Sequence, residues 1–148
     1  MTDFIIDEMV IRECDSQTDT TGKRNIRSLD FMTSLIQSNH RVALNKKIER
    51  KYRDYQQMIK NTGIFSNPTT SNIINDILRS DKRIDRDGTP GKYKPCRVKK
   101  CDREFVGVSI HTHGKFVTND KKLVTNIKKQ NLRKQFTTVN IDDAKNHL

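Results

Sequence analysis

The sequence predicts an α+β fold, with a helical N-terminal half followed by a small antiparallel sheet. Three observations point there: an apolar stripe at helical spacing over 41–60, an alternating run over Phe105–His113, and a stretch rich in Asp, Gly and Pro at 81–94 between them.

Taken in order, residues 1–27 read as an acidic, polar N-terminal tail and linker. A short apolar patch (Phe4, Ile5, Ile6, Met9, Val10, Ile11) sits among acids, and Thr/Asp-rich residues follow. Residues 28–148 read as a single small domain: helical over 28–80, loop over 81–94, β-rich over 95–141, tail over 142–148. Ser28 suits an N-cap, and Leu29, Met32, Leu35 and Ile36 follow at helical spacing. From Arg41 onward Leu44, Ile48, Tyr52, Tyr55 and Ile59 fall on one face of a long basic amphipathic helix, and Gly63 suits its stop. Ile73, Ile74, Ile77 and Leu78 predict a short helix ending near Ser80. In the second half, Val106, Val108, Ile110 and Thr112 alternate with Phe105, Gly107, Ser109, His111 and His113, the period of a strand. Asn119 and Asp120 can cap a basic helix over 121–134, and Phe136–Ile141 reads as a last strand.

The chain has 148 residues, which suits one domain, and only 32% are hydrophobic, with no Trp. Such a composition builds a small core and favours an external brace such as a metal, a second copy or a nucleic acid. The net charge is +11, although the first twenty residues set Asp3, Asp7, Glu8, Glu13, Asp15 and Asp19 against Arg12 alone. The cationic remainder predicts a polyanionic partner, RNA or DNA, held through its phosphates. The candidate contacts are Lys46, Lys47, Arg50, Lys51 and Arg53 on the long helix, Arg97, Lys99, Lys100 and Arg103 around the cysteines, and Lys121, Lys122, Lys128, Lys129, Arg133 and Lys134 on the last helix. No apolar run is long enough to span a bilayer, and the acidic start lacks the basic region of a signal peptide. Three cysteines, an odd number, argue against a disulfide framework and for a reducing compartment, cytoplasm or nucleus.

Cys96, Cys101, His111 and His113 lie within one short stretch and form the ligand set of a tetrahedral zinc site. Two thiols on a turn and two imidazoles at i and i+2 on one strand face would converge on an ion. The surrounding Arg97, Lys99, Lys100 and Arg103 would favour thiolate. Cys101 with Phe105 four residues on resembles the knuckle of two-Cys, two-His zinc fingers. The histidine spacing differs from theirs, so the resemblance does not extend to their base-reading helix. Ile110-His111-Thr112-His113-Gly114 resembles the His-x-His step of JAB/MPN-type metalloproteases. That resemblance implies zinc on His111 and His113, with Asp120 in the place of the third ligand and Glu49 or Glu104 as the acid.

No phosphate loop, nucleophile elbow, Ser-His-Asp order or dinucleotide-binding glycine pattern is present. The leading expectation is a nucleic-acid-binding protein without enzymatic activity, braced by zinc, of the kind found as viral or mobile-element accessory proteins. The alternatives are a zinc hydrolase built on His111 and His113, and an assembly module whose Leu44, Ile48 and Tyr55 stripe pairs with a partner or a second copy.

Overall fold

The computed structural model describes residues 1–18, 21–62, 68–88, 98–129 and 136–148. Among them strands and helices alternate along the chain: β1 (Asp3–Ile6), α1 (Glu8–Ser16), α2 (Arg27–Gln37), β2 (Arg41–Leu44), α3 (Lys46–Thr62), α4 (Pro68–Ile77), β3 (Arg83–Asp85), α5 (Arg103–Thr112), β4 (Lys115–Val117), α6 (Lys121–Lys129), β5 (Thr137–Val139) and α7 (Ile141–Lys145). The strands form one sheet in the order β3-β2-β1-β4-β5. Every pairing is parallel, with Phe4 beside Val42 on one side and Ile5 beside Phe116 on the other.

The expected antiparallel sheet is therefore corrected, and so is the division into a helical half and a β half. Parallel neighbours need a crossover between them, and here helices supply it. A strand covered on both faces shows a continuous apolar run rather than an alternation. Phe4-Ile5-Ile6 and Val42-Ala43-Leu44 are such runs, and all six side chains are buried. The opening segment read as a tail thus provides the central strand. Phe4 packs edge-on against Phe31 of α2, with ring centroids 5.9 Å apart. Phe116, in register with the next residue of β1, stacks on Phe105 of α5 at 6.2 Å. Successive strand residues face opposite ways, so α2 and α5 cover opposite faces of the sheet.

The run Phe105–His113 is a second correction, because it forms helix α5 and not a strand. Phe105, Val106, Gly107, Val108 and Ser109 are all buried, and α5 packs on β1, β2 and β4. A helix enclosed on every side carries no 3.6-residue pattern, and its β-branched residues imitate a strand. Gly107 is what lets α5 sit so deep: a Cβ there would collide with the carbonyl oxygen of Gly88. The long helix begins later than expected, since Arg41–Leu44 is β2. α3 then buries Ile48, Tyr52, Tyr55 and Ile59. With Leu44 these side chains lie in the chain's own core, so they present no stripe to a partner. The loop expected over 81–94 contains β3, and the expected tail over 142–148 contains most of α7, capped by the Asn140 side chain accepting from the Asp143 N–H at 2.8 Å. Gly63 and residues 89–94 lie outside the described residues. Among the described residues no helix is long and apolar enough to cross a membrane.

Candidate functional site

From β1 the chain winds to β2 and β3 on one side, then returns across to β4 and β5 on the other. Parallel sheets of this kind open a crevice at the carboxyl ends of the strands where the winding reverses, here between β1 and β4. Asp7 stands at the end of β1 and Thr118-Asn119-Asp120 at the end of β4. Asp102 closes the 3-10 turn Lys100–Asp102 that leads into α5.

Each acid is placed by a local structural task. Asp7 is the N-cap of α1, its Oδ1 accepting from the Met9 N–H at 3.4 Å, and its own N–H donates to the Val117 carbonyl at 3.0 Å. Its Oδ2 accepts from the Thr118 hydroxyl at 2.6 Å. Asp120 Oδ1 accepts from the Leu123 N–H at 3.0 Å at the start of α6, while its own N–H donates to Thr118 Oγ1 at 3.1 Å. The turn before α5 is held by Lys51 of α3, whose Nζ donates to the Cys101 carbonyl at 2.6 Å and lies over the Phe105 ring. Tyr52, one residue on and fully buried, donates to the Ile6 carbonyl and so ties α3 to the end of β1.

The charges of Asp102 and Asp120 reach Asp7, and that of Asp120 reaches Asp102. Burial pushes the Asp7 carboxyl up to about 6; the charges of Asp102 and Asp120 add to the rise, while the Thr118 and Met9 hydrogen bonds oppose it. Asp102 is also raised, by burial and then by Asp120, against the pull of Lys51 and Lys99. Glu104, on the first turn of α5, is engaged separately, accepting from Asn45 Nδ2 at 2.8 Å and pairing with Lys47 at 3.2 Å.

The residues expected to hold zinc are dispersed. Cys101 sits before α5, whereas His111 is in its last turn and His113 just beyond it. Ten helical residues rise about 15 Å, far beyond what one ion bridges. The shared strand face that would have aimed the imidazoles together does not exist, and His113 takes a left-handed backbone (φ 54°). Cys96 lies outside the described residues. The Cys101 thiol is exposed but titrates above its ordinary value, because partial desolvation and the Asp102 charge outweigh Lys51 and Lys99; the expected lowering by lysines is not found. Among the described residues, no three His, Cys, Asp or Glu side chains are close enough to enclose a metal ion by themselves.

Of the expected phosphate contacts, Lys46, Arg50, Lys99, Lys100, Lys121, Lys122, Lys128 and Lys129 are exposed. Arg53 bonds Gln56 and Asn75, Lys47 pairs with Glu104, and Lys51 and Arg103 brace the turn before α5 through the carbonyls of Cys101 and Val98. Arg97, Arg133 and Lys134 lie outside the described residues. The carboxylate trio was missed. For two of its members the signal was an apolar stretch with an acid after it, Phe4–Ile6 directly before Asp7 and Phe116-Val117 three residues before Asp120, and only the strand order brings the two together. In comparisons with protein-family models, curated proteins and solved structures, the chain matches none.

Proposed function

We propose that this chain binds nucleic acid and hydrolyses its phosphodiester backbone at the carboxylate edge, with a divalent cation such as Mg2+ or Mn2+. One observation carries the reading: Asp7, Asp102 and Asp120 come from three separate elements at the carboxyl edge of the sheet, near enough that the charges of Asp102 and Asp120 reach Asp7 and that of Asp120 reaches Asp102. On a chain of net charge +11, an acidic centre is the exception that needs a cation.

The donor set decides which cation. Carboxylate and hydroxyl oxygens suit hard ions and not zinc, which prefers nitrogen and sulfur. Mg2+ keeps several waters and takes only one or two carboxylates, with substrate phosphate completing its shell. An open trio that encloses no ion alone fits that habit. Bound there, such a cation stabilises charge on a phosphoryl oxygen and lowers the pKa of water. The protein's own share is positional. Thr118 orients Asp7, Lys51 fixes the turn that carries Asp102, and the exposed lysines of α3, α6 and the 99–100 turn hold the polyanion nearby.

The test is cleavage of end-labelled RNA and DNA by the full chain with Mg2+ or Mn2+, against EDTA. The reading expects cation-dependent cleavage that falls at least a hundredfold in Asp7→Asn and Asp120→Asn while binding persists. Salt-dependent binding with no cleavage under any cation would leave a binding protein without catalysis, the second reading, which the charge alone favours.

A further inference from the structure

A cleft of about 740 Å³ opens beside the carboxylates, with Thr118 as a shared wall. It runs over the ends of β4 and β5, between α6 on one side and the starts of α2 and α7 on the other. From α6 it receives Lys121, Val124, Thr125 and Lys128. Positions i, i+3, i+4 and i+7 make one helical face, and its two lysines lie about 10 Å apart along the axis. Lys121 directly follows Asp120, so the cationic face starts at the carboxylate centre. Val139 and Ile141 add apolar surface.

The opposite wall holds Glu13, Asp142 and Asp143, which would repel a polyanion. Two of them are already engaged. Asp142 pairs with Arg27 at 3.1 Å. Glu13 accepts from the Ser28 hydroxyl at 2.9 Å and from Asn119 Nδ2 at 3.0 Å. The Asp142 charge is thereby balanced, and the α6 wall stays cationic. At this size, within the roughly 300–1,000 Å³ of small-ligand clefts, the space suits a nucleotide or two of a single strand.

We propose that this cleft holds single-stranded nucleic acid where it leaves the carboxylate edge, with phosphates on Lys121 and Lys128 and a base against Val124 and Val139. The inference rests on the cleavage reading of that edge and adds to it a strand preference and a path.

The experiment measures affinity of the full chain for a fluorescent single strand and for the matching duplex across a salt series, using RNA and DNA of one sequence to identify the sugar preferred. Lys121→Ala and Lys128→Ala are each expected to weaken single-strand binding roughly threefold to tenfold and to lower the log–log salt slope by about one. Lys60→Ala, at the far end of α3, serves as the surface control with a smaller effect. Arg27→Ala should also weaken binding by freeing Asp142, and adding Asp142→Asn should restore it. Single-strand affinity and slope equal to wild type in both lysine variants would overturn the proposal, as would equal affinity for duplex. If the lysine effects appear but the wild type cleaves nothing, the cleft assignment stands and the cleavage reading falls.

Discussion

The Thr118 hydroxyl donates to Asp7 Oδ2 at 2.6 Å, joining the ends of β4 and β1 across 111 residues of sequence. It bridges the two strands that flank the point where the winding reverses, and it is the side-chain donor that opposes the rise in the Asp7 pKa. Thr118→Val keeps the shape and removes the donor. The Asp7 carboxyl should then titrate above its present value of about 6, seen by carboxyl-carbon NMR. Stability should fall by about 1–2 kcal/mol, because a buried acceptor is left short of a partner. An unchanged Asp7 titration would show that the hydroxyl is not its donor in solution.

Asp7→Asn should stabilise the protein at neutral pH. The folded-state pKa of Asp7 is raised from 3.8 to about 6, so its charge opposes folding. That opposition is complete above pH 6, shrinks as the pH falls from 6 towards 3.8, and is gone below. The displacement corresponds to about 3 kcal/mol at neutral pH as an order of magnitude. Asn keeps the N-cap of α1. Denaturant unfolding should show the variant more stable at pH 7.5, with the gap closing by pH 4. Saturating Mg2+ should narrow the gap at pH 7.5, because a cation stabilises the charged carboxylate only in the wild type.

Gly107→Ala should be among the most damaging single-methyl changes in the chain. The added Cβ meets the Gly88 carbonyl oxygen, and Gly88 itself is confined by Asn45 and Glu104. Overpacking of this kind costs about 1–3 kcal/mol or more, and here it must move either α5 or the segment after β3. Thermal unfolding checks it. A melting temperature within a degree of wild type would mean that residue 88 does not lie against α5.

How much of this was legible follows from which side chains face water. α3 has one buried face and one wet face, so Ile48, Tyr52, Tyr55 and Ile59 announced it. α5 has hardly a wet face along Phe105–Ser109, and Val106, Val108 and Ile110 mimicked a strand. β1 was legible as an apolar run, but its acidic flanks suggested a tail, although one of those acids, Asp7, caps a helix and faces the switch point. Asp102 gave no local signal at all. Its place depends on Lys51 bracing the preceding turn from fifty residues away. The Cys/His cluster misled because proximity in sequence becomes separation along a helix: Cys101 and His111 sit at opposite ends of α5.

Mn2+ binding followed by paramagnetic broadening of backbone amide resonances tests the account most directly. Substoichiometric Mn2+ should broaden Asp7, Asp102, Thr118 and Asp120 first, and the pattern should disappear in the Asp7→Asn, Asp120→Asn double variant. Broadening centred on His111 and His113, or none that the double variant removes, would contradict a divalent-cation site at the carboxyl edge of the sheet.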